Sequence, residues 1–158
     1  MSSRDKAVVY IATGFYTGNI PLAPGTFGTL PGLFLCFFLS GTSLPVSIVL
    51  ILMVIGFSVW IAGEAEKILG EKDPGCIVID EIAGMAVTLV GIPFTLQTAV
   101  AGFLLFRFFD ITKPPPIRTV DREMHGGAGI VLDDVIAGIF ANMVLRAGMW
   151  LTSYPGVG

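Results

Sequence analysis

The segment PVSIVLILMVIGFSVWIAG, residues Pro45–Gly63, is predominantly apolar and carries no charged side chain. A helix of about 20 residues rises about 30 Å, which matches the hydrocarbon core of a bilayer. The preceding run, Leu30–Leu39, is also apolar, and the letters SGTSLP at residues 40–45 are typical of a turn. We therefore predict a membrane-inserted helical hairpin, whose first arm is long enough to span only if it begins near Thr26.

The remaining apolar segments are also predicted to be helical, so we predict an all-α fold. Ile82–Phe106 is uncharged, but GIP at Gly91–Pro93 fits a helix interior poorly, so we predict a second, shorter hairpin. A last apolar helix is expected over about Val131–Leu151, followed by a frayed tail, TSYPGVG, at residues 152–158. The predicted fold is a single domain, 1–158: an all-α multi-helix bundle with apolar, membrane-inserted hairpins and a polar active-site face. A very apolar water-soluble bundle is the alternative.

Composition and charge agree with a membrane setting. Hydrophobic residues make up 54% and charged residues 13% of the chain, whereas soluble domains carry about 25% charged residues. The net charge of −3 and the lack of a basic stripe argue against a nucleic-acid partner. If both hairpins return to one face, the positive-inside rule makes that face cytoplasmic. The basic residues expected there are Arg4, Lys6, Lys67, Lys72, Arg107, Lys113, Arg118 and Arg122.

Two similar motifs place paired acids beside apolar helices. IVIDEIAG spans Ile77–Gly84 and IVLDDVIAG spans Ile130–Gly138, and each acid pair is predicted to open a helix. One interpretation is N-terminal capping, which explains one acid per helix better than two. The other is ligation of a hard, oxygen-seeking cation, for which we favour Mg²⁺. The carboxylates predicted as metal ligands are Asp80, Glu81, Asp110, Asp133 and Asp134.

Basic residues lie close to these acids along the chain. Arg107 precedes Asp110 by three positions, so both share a helix face, either as a local salt bridge or as part of a phosphate site. Lys113 follows, and Pro114–Pro116 end the helix and hold Arg118 at a fixed distance. A cation beside arginine and lysine is the common arrangement for phosphoryl chemistry, because both neutralise charge on the phosphoryl oxygens.

Two further features have a functional and a structural interpretation. The loop PLAPGTFGTLPG, Pro21–Gly32, offers Gly25 and Thr26 just before a helix, which suits an anion cradle or a plain turn with a threonine cap. His125 is the only histidine and lies in the Gly-rich segment DREMHGGAGI. It is a candidate general acid or base, or a surface loop residue.

Four motifs taken together resemble the bacterial phosphatidylglycerophosphatase A family, and they occur in the same order as in that family, between about Gly14 and Arg146. They are APGTFGTL, DPGCIVIDEIAGM, FRFFDITKPPPIR and DREMHGGAGIVLDDVIAG. The resemblance implies an all-helical, membrane-associated, Mg²⁺-dependent lipid phosphatase that converts phosphatidylglycerophosphate to phosphatidylglycerol. One departure is Pro115, where the family often has an aromatic residue.

Carried onto this chain, the family motifs imply a division of roles among the candidate residues. The attacking group, water or an aspartate, stays open. Residues expected in catalysis are Asp80, Asp110, Asp133, Asp134 and His125. Residues expected to bind substrate are Arg107, Lys113, Arg118, Gly25 and Thr26.

Three other classes of protein fit the sequence less well. A CDP-alcohol phosphotransferase would carry a D-G-x2-A-R motif, which does not occur here. A transporter would place acids in the middle of spans, and a membrane scaffold gives no reason to concentrate acids with basic residues. A homo-oligomer stays open, because the glycines of the apolar helices would permit close packing within a chain or between chains; these are Gly84, Gly102 and Gly138.

Overall fold

A computed structural model describes residues 1–152, which form seven α-helices and no strand within that range. The all-α prediction is therefore confirmed. Residues 153–158, most of the predicted frayed tail, lie outside the described residues. A short 3₁₀ turn, Thr17–Asn19, follows the first helix. The helices are α1 (Ser3–Ala12), α2 (Pro24–Leu39), α3 (Leu44–Leu69), α4 (Ile79–Leu89), α5 (Leu96–Thr112), α6 (Ile117–Glu123) and α7 (Gly126–Thr152).

Helices α2 and α3 form the first predicted hairpin. Residues 40–43 connect them, and α2 begins at Pro24, close to the predicted start. Its 16 residues nevertheless rise only about 24 Å, which is short of the hydrocarbon core of a bilayer. Helix α3 continues past Gly63 to Leu69, which places the start of the polar segment inside a helix. Ala65, at 0% exposure, belongs to the apolar core there. Gly70 then ends the helix in the left-handed conformation, at φ +69°.

Helices α4 and α5 form the second predicted hairpin. Gly91 adopts φ +65° directly after α4, and Thr95 caps α5 by accepting a hydrogen bond from the Thr98 backbone N–H. At 1.5 Å per residue, the 11 residues of α4 rise only about 16 Å. Helix α4 is therefore about half as long as a bilayer core is thick, and it packs against α2, α3, α5 and α7.

Helix α7 begins at Gly126, so the prediction of a start near Val131 is wrong. Packing explains the difference, because a Cβ on Gly127 would lie 1.8 Å from the Val59 carbonyl oxygen of α3. The Gly-rich segment is a contact between helices and not a loop. As a result, Asp133 and Asp134 lie beyond the first turn of α7, and they do not open the helix as predicted. N-terminal capping cannot explain this second acid pair.

A close crossing of α4 and α7 sets the geometry of the acids. A Cβ on Gly138 would lie 2.4 Å from the Gly84 carbonyl oxygen, and one on Gly84 would lie 2.8 Å from the Asp134 carbonyl oxygen. Both glycines are thus required for the two backbones to approach. They contact residues of the same chain, and the crossing brings the first turn of α4 beside Asp134.

Within the described residues, two helices, α3 and α7, are long and apolar enough to cross a membrane. The most apolar window of α3 has a mean hydropathy of 2.6, yet only 22% of it is buried. Large apolar side chains therefore face outward along α2 and α3, among them Phe34, Leu52, Phe57 and Trp60. An apolar helix surface with no protein neighbour suits contact with lipid, and we describe the chain as a membrane protein.

Candidate active site

Three carboxylates meet where α4 crosses α7. Asp80 and Glu81 lie in the first turn of α4, and Asp134 comes from α7. One oxygen from each of the three lies within 4.8 Å of the other two. Glu81 and Asp134 are buried, at 9% and 3% exposure. The acid cluster, as we call these three residues, brings together three of the five predicted metal ligands, and ligation of a metal by them stays a prediction.

Several polar atoms of this region are buried and have no hydrogen-bond partner within residues 1–152. An unpartnered buried carboxylate oxygen is costly unless a positive group neutralises it. Four carboxylate oxygens and one guanidinium nitrogen share this condition, and all five atoms belong to the predicted site. They are Asp80 Oδ1, Glu81 Oε2, Asp133 Oδ1, Asp134 Oδ2 and Arg107 Nε.

The electrostatics of α4 reflect the same excess of acid. Burial raises the pKa of Glu81 to about 8, and the neighbouring Asp134 and Asp110 carboxylates push the pKa in the same direction. Burial also raises the pKa of Asp80 well above its ordinary range, and repulsion from Glu81 adds to the effect. Ionising these carboxylates in the metal-free site therefore costs free energy, and a bound cation would offset that cost.

Arg107 is the cation nearest to the acid cluster on α5. Its Nη1 donates to Asp110 Oδ2 one turn along the helix, and lies 3.8 Å from Glu81 Oε1. The predicted Arg107–Asp110 pair is present. Gly25, in the first turn of α2, packs directly on this group, because a Cβ there would lie 2.5 Å from Glu81 Oε1 and 2.7 Å from Arg107 Nη2. Gly25 therefore adjoins both the acid cluster and the guanidinium.

Thr26 follows Gly25 in the same turn of α2, and this helix end lacks a side-chain cap. Backbone N–H groups in the first turn of an uncapped helix have no intrahelical acceptor. The first turn of α2 thus presents free donors next to Arg107, as the anion-cradle interpretation requires.

Lys113 lies between two carboxylates at the end of α5. Its Nζ is 2.6 Å from Asp133 Oδ2 and 2.6 Å from Asp121 Oδ1. The predicted lysine is therefore engaged with two acids, and its role in substrate binding stays a prediction. Asp121, on α6, is a residue that the sequence analysis missed. It is the first residue of the motif DREMHGGAGI, but the motif gives no sign of a contact with Lys113, because a proline run and a helix start separate the two residues.

Two predicted residues lie away from the acid cluster. Arg118 is exposed on α6. His125 is exposed, with Nδ1 3.1 Å from the Glu123 carbonyl oxygen. His125 and Asp121 line a polar pocket of about 400 Å³ on the surface beside α6. The structure does not bring Arg118 or His125 to the acids, and their roles in substrate binding and catalysis stay predictions.

Comparison with known proteins identifies the family of this chain. The phosphatidylglycerophosphatase A family model matches residues 10–149. The phosphatidylglycerophosphatase A of Escherichia coli is 38% identical over 138 residues, covering 85% of this chain and 79% of its own. That of Haemophilus influenzae is 41% identical over 140 residues, covering 87% and 85%.

A third relative has a different name. A putative phosphatidylinositol-3-phosphatase of Bacteroides thetaiotaomicron is 34% identical over 151 residues, covering 90% of this chain and 94% of its own. No solved structure matches the chain. The family model spans the helices that carry the acid cluster, Arg107 and Lys113, so the match includes the whole site. The chain belongs to the phosphatidylglycerophosphatase A family.

Proposed function

We propose that this protein is a Mg²⁺-dependent lipid phosphatase, which hydrolyses the terminal phosphomonoester of phosphatidylglycerophosphate to phosphatidylglycerol and phosphate. One observation carries the proposal. In a member of this family, the acid cluster lies beside Arg107, and three of its carboxylate oxygens, together with one of Asp133, are buried and unpartnered among the described residues. Such an arrangement is poor as a structural salt bridge and well suited to a divalent cation with a phosphate.

The donor set fits Mg²⁺. Asp80, Glu81 and Asp134 would hold the ion, and all offer hard carboxylate oxygens, which Mg²⁺ prefers over nitrogen or sulfur ligands. Asp110 and Asp133 lie next to this set, each already engaged through one oxygen by Arg107 or Lys113. When bound, Mg²⁺ would offset the charge that accumulates on the phosphoryl oxygens during transfer.

The chain's own residues would bind and orient the phosphomonoester. Arg107 offers guanidinium donors at the edge of the acid cluster, including the unpartnered Nε. The first turn of α2, at Gly25 and Thr26, would add backbone N–H donors and the positive end of its helix dipole. Gly25 lets this turn approach without a side chain between it and Arg107.

A buried carboxylate with a free oxygen can also accept and release a proton. Asp133 has Oδ2 bound to Lys113 and Oδ1 unpartnered within residues 1–152. A carboxylate held in this way can accept the proton of an attacking water. We favour water as the attacking group. Acid quenching during turnover separates the two routes: no trapped phosphoprotein would agree with direct attack by water, and a trapped aspartyl phosphate would contradict it.

The site would face the cytoplasm from the inner membrane. Lys67, Lys72 and Lys113 lie at or beyond the ends of α3 and α5, at the end of the bundle that carries the acid cluster. Arg146 lies at the opposite end, where it donates to the Val90 carbonyl oxygen after α4. This excess of basic residues at the site end follows the positive-inside pattern.

The testing experiment is phosphate release by the purified protein from lipid phosphates in mixed micelles. Phosphatidylglycerophosphate, phosphatidic acid and phosphatidylinositol 3-phosphate would be compared, the last because of the name of the Bacteroides relative. We expect Mg²⁺-dependent release with strong preference for phosphatidylglycerophosphate. Equal release from all three substrates would contradict the specificity, and no release by folded protein would contradict the function.

A further inference from the structure

Asp121 forms an ionic chain with Lys113 and Asp133 outside the acid cluster. Both contacts to Lys113 Nζ measure 2.6 Å. The three side chains come from three separate segments: α6, the end of α5, and α7. The Asp133 side chain is 6% exposed, whereas that of Asp121 is 32% exposed. This ionic chain thus runs from the surface pocket, which Asp121 lines, to the edge of the buried site.

The local fold holds both ends of this chain in place. Lys113 adopts the left-handed conformation, φ 42°, at the end of α5, which turns the backbone directly before the prolines. Helix α6 begins at Ile117, whose side chain is fully buried and fixes the helix against the bundle. Asp121 lies one turn after Ile117 and therefore projects from the same face of α6. Its carboxylate is directed at the Lys113 ammonium group.

Two sets of carboxylates attract the Lys113 ammonium group: its partners Asp121 and Asp133, and the acid cluster. An ammonium group has three donors, and Asp121 and Asp133 occupy two of them. The unpartnered oxygens of the acid cluster lie deeper in the same region and carry uncompensated charge. Without the outer carboxylate, the flexible lysine would be drawn toward those acids. There its charge would compete with a divalent cation for the same oxygens.

We propose that Asp121 is a positioning residue of this phosphatase. It retains Lys113 on Asp133 Oδ2, which keeps Asp133 Oδ1 free and keeps the ammonium group away from the acid cluster. The inference rests on the proposed Mg²⁺ site. It assigns to α6 a task that neither the motifs nor the acid cluster requires: Asp121 raises the affinity of the site for the cation while contacting neither cation nor substrate.

The experiment compares wild type with D121N, D121E and E123Q. Glu123 lies on the same short helix and is exposed, so E123Q makes the same change in charge without touching Lys113. Mg²⁺ binding is measured by titration calorimetry on metal-free protein, and the Mg²⁺ concentration for half-maximal phosphate release is measured separately. We expect D121N to weaken Mg²⁺ binding about 10-fold, as loss of an outer partner commonly does. D121E should return affinity toward wild type, and E123Q should leave it unchanged.

The possible results separate this inference from the proposed function. Absence of Mg²⁺ binding and Mg²⁺-dependent release in wild type would overturn the function itself. A Mg²⁺-dependent wild type together with unchanged Mg²⁺ binding in D121N would overturn only the role of Asp121, as would equal weakening by D121N and E123Q. If D121N is not folded by gel filtration and thermal melting, D121S repeats the test with a smaller neutral side chain.

Discussion

Gly25→Ala is the substitution for which the structure predicts the sharpest separation of activity from stability. The added Cβ would lie 2.5 Å from Glu81 Oε1, 2.7 Å from Arg107 Nη2 and 2.8 Å from Arg107 Nη1. All three contacts are far shorter than van der Waals distance. The contacted atoms are the ends of long side chains, so they can move without a shift of the backbone.

The size of the effect follows from these distances. To restore ordinary contact, the glutamate and the guanidinium must each retreat by about 0.6–0.9 Å. A misplacement of about 1 Å in a catalytic site can cost about 100-fold in rate. Alanine is intrinsically a better helix former than glycine by up to about 1 kcal/mol, so the first turn of α2 itself is not weakened. We expect kcat/KM to fall about 100-fold while Tm changes by only a few degrees.

The assay is Mg²⁺-dependent phosphate release from phosphatidylglycerophosphate in mixed micelles, with Tm measured on the same preparations. Gly56→Ala is the matched control, because Gly56 lies in α3 and its added Cβ would meet nothing within 4 Å in the described part of the chain. G56A should keep wild-type activity. Wild-type kcat/KM in G25A would refute the placement of Gly25 at the active site, and equal losses in both variants would refute the geometric explanation.

Three other predictions follow. Asp134→Asn removes one carboxylate of the acid cluster, and we expect activity to fall by at least about 100-fold while Tm in EDTA rises, because a buried uncompensated charge is removed. Because burial raises the pKa of Glu81 to about 8, the folded protein binds more protons than the unfolded chain between pH about 4.5 and 8. Tm in EDTA should therefore fall as pH rises across that window, and Glu81→Gln should flatten the fall. Gly138→Ala places a Cβ 2.4 Å from the Gly84 backbone oxygen, so unfolding free energy should drop by about 1–3 kcal/mol. Gly148→Ala, whose Cβ meets nothing within 4 Å among residues 1–152, should leave the unfolding free energy unchanged or raise it by up to about 1 kcal/mol, because alanine favours the helix.

The sequence was sufficient for the hairpins because their signals are local. The turn around Gly91 needs a residue in the left-handed conformation, and the proline run after Lys113 cannot continue a helix. Both helix breaks can therefore be predicted from the local sequence. The Arg107–Asp110 pair is local for the same reason, since three positions on a helix bring two side chains together. The family prediction is also confirmed, by a family model that matches residues 10–149.

Tertiary packing decided what the sequence did not reveal. The segment before Asp133 appears loop-like because it is rich in glycine, yet Gly127 lies in α7, where it permits contact with α3. The two similar acid motifs are therefore not equivalent, since one opens α4 and the other lies within α7. The contact of Asp121 with Lys113 is not predictable from the sequence, because it depends on how the proline run orients α6, the helix that carries Asp121.

The most direct test of the central claim is phosphate release from phosphatidylglycerophosphate by wild type and Asp80→Asn, each with Mg²⁺ and with EDTA, on protein shown to be folded by thermal melting. Asp80 supplies one of the three oxygens of the acid cluster. We predict rapid release only by wild type with Mg²⁺, and a folded but inactive D80N. Undiminished release by wild type in EDTA, or by D80N with Mg²⁺, would contradict a Mg²⁺-dependent phosphatase site at the crossing of α4 and α7.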